Sequence, residues 1–385
     1  MIACLLFALA LGNVSEITVP AGPGAAEPFL FASGHGLLLS WLEPAGTAGE
    51  TALRFAVYRG GRWSDPRTIV QRSDLVVNWA DFPSVVEDGS GTLFAHWIQA
   101  SGKDVWASDV RLQISRDRGA TWSAPLLLNR DGNKTEHGFV SLAPLPGGGV
   151  GAVWLDGRNE MTVRYATIDA AGTIRSDEEV DPRACECCAT GLTMVGGRPV
   201  IAYRDRSADE VRDIAVVRRT ASGWSKPRLI HPDGWKIAGC PVNGPQLDAR
   251  GNRVAAAWFT AASEHNRAYA VFSEDGGATF GMPIVIDDGS PLGRVDVVLL
   301  DGGAAVVTWL EQTAGGAEIR ARSVARNGGR SPSRTIAQSS AAHAAGFARA
   351  AAIGDDVYVA WTDAKRVRVA RLGNASPRRP VTGSR

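Results

Sequence analysis

The stretch VGAVWLD, Val150–Asp156, decides the fold because the chain repeats it. LLLSWLE (37–43), LFAHWIQ (93–99), PVIAYRD (199–205), VAAAWFT (254–260), AVVTWLE (305–311) and VYVAWTD (357–363) each place one aromatic after three or four small or apolar residues. The aromatics stand at 41, 97, 154, 203, 258, 309 and 361, so neighbours are 56, 57, 49, 55, 51 and 52 residues apart. A period near fifty, built of short apolar runs between Gly, Asp and Pro turns, predicts an all-β propeller in which each period is one four-stranded blade. Seven periods predict seven blades, with six as the alternative if a terminal period is incomplete in space.

The order inside a period repeats as well. A short apolar strand (FPSVVED, GFVSLAP, GLTMVGG, NGPQLDA, RVDVVLLD, GFARAAA) precedes a glycine turn and the aromatic strand. A third strand and a turn that often runs into Trp-Ser-x-Pro lead to a fourth. The seventh period stops after its third strand, so the N-terminal SEITVP is expected to supply the missing outer strand and close the ring between the termini. Because blades bury their faces only against each other, residues 16–373 read as one cooperative unit rather than the several domains that 385 residues would otherwise suggest. Residues 374–385 read as a flexible tail.

The formal net charge of +1 offers nothing to nucleic acid or an anionic membrane. The apolar run Ile2–Leu11 is too short to span a bilayer but suits a signal h-region, with Ala10-Leu11-Gly12 as the cleavage site, so residues 1–12 are read as a signal peptide and the protein as periplasmic or secreted. No later segment is long and apolar enough to be an anchor, and the protein is expected to be monomeric.

Two of the turns between third and fourth strands fit S-x-D-x-G-x-T-[WF]: SRDRGATW (Ser115, Asp117, Gly119, Trp122) and SEDGGATF (Ser273, Asp275, Gly277, Phe280). The carboxylate is expected to accept turn amides, the glycine to take a conformation costly for other residues, and the aromatic to wedge between sheets. This pattern resembles the Asp box, or BNR repeat, of the sialidase superfamily, and the resemblance extends over most of the chain. It implies a propeller whose Asp-box turns mark the back face. It further implies a substrate carboxylate held by three arginines, a tyrosine nucleophile paired with a glutamate, and an aspartate acid/base. Arg158, Arg206 and Arg294 are the arginines placed to serve, with Asp296 and Asn243 beside them, and Asp81, Glu136 and His137 are the candidates for catalysis. The sequence departs from that family in three ways. Tyr58, Tyr165, Tyr203, Tyr269 and Tyr358 all fall inside strands, no Arg-Ile-Pro signature is present, and seven repeats replace six blades.

Two residues past the repeat aromatic stand Glu43, Gln99, Asp156, Asp205, Thr260, Glu311 and Asp363. A position that recurs in this way reads as part of the blade, so chemistry is sought in residues that break the repeat. These gather before the first strands and after the aromatic strands of blades two to six, and together they suit a small-molecule or glycan ligand, expected to be anionic. Two function classes follow: a glycosidase acting on anionic sugars, or a non-hydrolytic ligand- or metal-binding propeller.

The metal reading rests on DPRACECCATG (181–191). Cys185, Cys187 and Cys188 precede the first strand of blade four and Cys240 that of blade five, which puts all four on the front. In an oxidising compartment disulfides are the default, and a bridge from Cys240 would tie two blade entrances together. Four thiolates in one place would instead hold Cu or Zn, and a redox-active or modified thiol is the third reading.

Overall fold

The computed structural model describes residues 10–46 and 49–374. It is a ring of seven antiparallel sheets with almost no helix, a seven-bladed β-propeller. Blade 3 shows the plan: His137–Pro144 is innermost, followed outward by Val150–Asp156, Thr162–Ile168 and Ile174–Asp181. The first strands line the axis, and each touches those of the blades on either side all the way round.

The apolar second strands follow from this stacking. A blade in the ring is covered on both faces, so its second strand needs no polar alternation. Every residue of Val150–Asp156 is buried. Trp41, Trp97, Trp154, Tyr203, Trp258 and Trp309 are fully enclosed between sheets. Outer strands are short or polar, as in Arg228–Leu229 and Leu126–Leu127.

The seventh blade is closed as expected. Its own strands are Arg349–Ile353, Asp356–Asp363 and Arg366–Asn374, and the outer position is filled by Leu11–Ile17, antiparallel to Arg366–Asn374. The closing strand thus begins at Leu11, ahead of the expected boundary at 16, and contains two residues of the proposed cleavage site, Leu11 and Gly12. Residues 1–9 of the expected signal segment and residues 375–385 of the expected tail lie outside the described residues.

The two S-x-D-x-G-x-T turns share one hydrogen-bond pattern. Ser115 Oγ donates to Asp117 Oδ1 (2.8 Å) and accepts from the Gly119 amide (2.7 Å), while Asp117 also takes the Thr121 amide (2.9 Å) and hydroxyl (2.6 Å). Ser273, Asp275, Gly277 and Thr279 reproduce it at 2.8, 2.9, 2.9 and 2.6 Å. Hydrogen bonds from Thr121 and Thr279 lead the effects that hold Asp117 and Asp275 down at about 2. Trp122 packs edge-on against Phe55 of blade 1, with centroids 6.0 Å apart, so the turn also joins neighbours.

The recurring acid two residues past the aromatic is structural. Residues i and i+2 share a strand face. The indole Nε1 of Trp41, Trp154 and Trp309 therefore donates to Glu43 (2.7 Å), Asp156 (3.0 Å) and Glu311 (2.6 Å). Where the position is not used, other acids reach in: Asp233 accepts from Trp258 (2.7 Å) and Asp181 from the Tyr203 hydroxyl (2.6 Å).

Candidate functional site

On the front face, the loops ahead of the first strands of blades 2 to 5 enclose a cleft of about 490 Å³. Trp79, Val76 and Val77 form one wall, Val105 and Trp106 another, and Asp81, Glu136, Glu186 and the Cys187–Cys240 bridge also line it. Of the six large apolar side chains exposed among the described residues, Val77 (55 %), Val105 (85 %) and Trp106 (64 %) stand here. Exposed apolar surface concentrated at one concave place marks a contact site.

The electrostatics are one-sided. No Lys or Arg lines the cleft. The Glu136 side chain is half-buried, its carboxyl forms no hydrogen bond or ion pair, and it is raised to about 7 by burial and then by the charges of Asp81 and Glu186. A carboxyl in that condition is the usual makings of an acid that works near neutral pH. Asp81 is raised to about 6, chiefly by burial, which the Phe139 and Val140 amides and Arg349 offset only in part. Behind it lies Glu27, which burial and then Asp81 push up to about 8.

Asp81 has a second engagement. Its Oδ2 accepts the Phe139 amide at 2.7 Å, and a Cβ on Gly138 would lie 2.3 Å from that oxygen. Asn243 does the same between blades 5 and 6, its Oδ1 taking the Arg294 amide at 2.8 Å over Gly293, where a Cβ would come within 2.1 Å. Phe139 and Arg294 both have φ of 55°. The two sites are one device, a side chain that fastens a bulge in the next blade's first strand, and Asp81 performs it as well as facing the cleft.

The three arginines are engaged elsewhere. Arg158 forks onto Asp156 (2.7 Å to each oxygen), and Arg206 pairs with Glu210 and Glu186. Arg294 donates to the carbonyls of Leu292 (2.7 Å) and His343 (2.8 Å) and lies over Phe347. Asp296 is buried on the axis side, where it accepts the Ala350 amide of blade 7 at 2.7 Å. None of these residues lines the cleft.

The cysteine loop joins blades 4 and 5 through a disulfide, one of the readings expected. Cys187 and Cys240 form a disulfide with Cα atoms 5.9 Å apart, so two of the four sulfurs named as alternative metal ligands are bonded to each other. Cys185 and Cys188 remain thiols, buried with Sγ atoms 3.3 Å apart. The Cys188 hydrogen bond, with help from Arg212 at 3.3 Å, brings Cys185 down to about 6, while burial and the Cys185 charge push Cys188 up.

Several residues here were not singled out in the sequence. Trp106, Glu186 and Glu27 sit in or behind the cleft, and Asp131 approaches His137. Each lies in a loop or at a bulge outside the repeat. A larger cleft of about 600 Å³ on the opposite face, between blades 1 and 2, gathers Arg59, Arg62, Arg67 and Arg118 beside Trp63. It belongs to the turn end of the blades and also holds His35 and Glu87, which pair with each other.

Fold and cleft together define a seven-bladed β-propeller with an acidic, aromatic front site. The chain matches no protein-family profile and no curated protein. Among solved structures it resembles a protein of unknown function from Dyadobacter fermentans (14 % identity, 94 % of this chain and 99 % of that one, TM-score 0.55). It also resembles the polysaccharide lyase Uly1 (10 %, 96 % and 100 %, TM-score 0.56). A mutant NanB sialidase from Streptococcus pneumoniae aligns at TM-score 0.46 (13 %, 95 % and 70 %). These likenesses speak to the fold alone.

Proposed function

We propose that this propeller processes glycans, taking a neutral oligosaccharide in the front cleft and hydrolysing it with Glu136 as general acid. The observation that carries the reading is Glu136 itself, an unpartnered carboxyl raised toward neutrality in a cleft walled by tryptophans. Trp79 and Trp106 offer the flat apolar faces on which sugar rings stack, and the absence of any lining Lys or Arg favours a neutral ligand over an anionic one. Glu136 passes its proton to the glycosidic oxygen as the carbon–oxygen bond breaks. Glu186, held by Arg206 and Arg212, takes a proton from the water that adds to the sugar carbon.

The sialidase chemistry implied by the Asp-box resemblance has less support, because Arg158, Arg206 and Arg294 are engaged by protein groups outside the cleft and the tyrosines lie within strands. The structural likeness to a polysaccharide lyase is compatible with a sugar-polymer substrate. Export to the periplasm would put such an enzyme where polysaccharides are found.

The test is turnover and binding on matched neutral, amino and sialylated oligosaccharides. Glu136→Gln is expected to lower kcat by about 10²- to 10⁴-fold, and Asp81→Asn, which keeps an acceptor for the Phe139 amide, by less than about tenfold. Trp106→Ala is expected to raise KM about tenfold with little change in kcat. Preference for sialosides with Glu136→Gln fully active would overturn the proposal, and binding without turnover would make the chain the non-hydrolytic module.

A further inference from the structure

We infer that Asp131, His137 and Asp156, at the front end of blade 3, form a binding site for a divalent cation of the Zn²⁺ type. His137 is fully buried at the start of the blade's first strand, and Asp156 ends the second strand beside it. Asp131 comes from the loop after blade 2 and its side chain is only 6 % exposed. The ligating atoms of the three lie within 4.8 Å of one another.

The hydrogen-bond pattern gives the site its meaning. His137 Nδ1 lies 2.8 Å from the Ser108 carbonyl oxygen. A carbonyl only accepts, so Nδ1 carries a hydrogen there and the ring is held with Nε2 toward the carboxylates. Nε2 is 3.5 Å from Asp131 Oδ1 and 3.6 Å from Asp156 Oδ1, and it has no hydrogen-bond partner. Both oxygens of Asp131 are likewise buried without a partner, as is the Thr135 hydroxyl in the same loop. Buried polar atoms are rarely left without partners as His137 Nε2 and both Asp131 oxygens are here.

A cation would give these unpartnered atoms a common partner. Ligands at about 2.0–2.1 Å around a tetrahedral ion stand roughly 3.3 Å apart, close to the separations seen. The donor set of one imidazole and two carboxylates suits Zn²⁺ better than Ca²⁺, which takes six to eight oxygens. The surroundings are those of a metal ligand shell: the Ser108 carbonyl orients the ring, and Arg158 together with the Trp154 indole holds Asp156 in place. The cysteine loop is not involved, so this site is separate from the metal site expected there. It also stands independently of the role given to Glu136, the residue next to His137.

The experiment is metal uptake by the full chain, purified, stripped with chelator and dialysed. Zn²⁺, Mn²⁺ and Ca²⁺ are titrated separately by calorimetry, with thermal unfolding before and after. One equivalent of Zn²⁺ is expected, with a rise in Tm and weaker binding of Ca²⁺. Because the Cys185 and Cys188 thiols also attract Zn²⁺, the same protein is loaded with Co²⁺: the expected spectrum has ligand-field bands and no thiolate charge-transfer band. Asp131→Asn is expected to weaken uptake by about 100-fold or more, while Cys185→Ser with Cys188→Ser leaves it unchanged. No uptake by the wild-type protein, a thiolate spectrum, a preference for Ca²⁺, or undiminished uptake by folded Asp131→Asn would each overturn the assignment. If Asp131→Asn fails to fold, the wild-type Co²⁺ spectrum decides.

Discussion

At the scale of single residues, the mouth of the propeller holds carboxyls in protonation states that water would not allow. Glu27 is the extreme case, buried beside Asp81 with one oxygen lacking a partner and raised from 4.5 to about 8. The sign of its effect on stability follows from linkage. Between about 4.5 and 8 the folded chain keeps a proton that the unfolded chain has lost, so stability falls as pH rises through that window, by at most roughly 1.4 kcal/mol per pH unit from this group. Asp81, raised from 3.8 to about 6, adds a slope of the same sign lower down. Glu27→Gln keeps the shape and removes the titration, so its Tm is expected to fall less than the wild-type Tm between pH 5 and 8 and to exceed it at pH 8. Parallel curves for the two proteins would show that Glu27 is ionised without cost where it sits. Glu27 was not legible as a special residue in AGPGAAEPFL, since its condition comes from burial within the closed ring and from Asp81, which lies far along the chain.

At the scale of the element, the turns and strands were the most readable part of the molecule. The spacing Ser-x-Asp-x-Gly-x-Thr encodes a hydrogen-bond pattern that closes on itself within seven residues, and no tertiary context is needed to recognise it. What the motif does not disclose is what its glycine faces. Gly119 has φ of +83°, and a Cβ there would sit 2.2 Å from the Phe55 ring of the preceding blade, whereas Gly60, at φ of +61°, looks into open space. Gly119→Ala therefore combines backbone strain with a clash inside a packed interface, and Gly60→Ala has the strain alone. The expected losses are about 3 kcal/mol for Gly119→Ala and about 1 kcal/mol for Gly60→Ala, read from urea midpoints at unchanged slope. Equal losses would mean that Phe55 yields and that the turn is not a brace between blades. The same limit applies to the arginines. Arg158, Arg206 and Arg294 stand at the front in sequence order, but whether a guanidinium is free depends on partners such as Glu186 and the His343 carbonyl that the linear spacing does not couple to them.

At the scale of the whole molecule, the fold was legible because seven weak signals repeat, whereas the site was legible only in fragments because nothing in it repeats. Asp81, Glu136 and the cysteine loop stood out as exceptions to the period, but Trp106 and Asp131 lie in loops whose position around the ring is set by blades before and after them. Closure is the property that belongs to the ring rather than to any blade. Each sheet is held by two neighbours, and the seventh takes its outer strand from the other end of the chain, with Leu11 and Val14 packed against the cluster that includes Val357, Val359 and Leu372. Without that strand, Arg366–Asn374 becomes an unpaired edge and the apolar face under Leu11 opens to water. A chain starting at Thr18 is expected to lose about 2 kcal/mol or more, the worth of one buried and one partly buried aliphatic side chain. It is also expected to self-associate through the bare edge, and a peptide spanning residues 11–17 added in trans should restore the unfolding midpoint by strand addition. An unchanged midpoint in the shortened chain would place closure in the contacts between the first strands of blades 1 and 7, and the outer strand would then be a cover rather than a clasp.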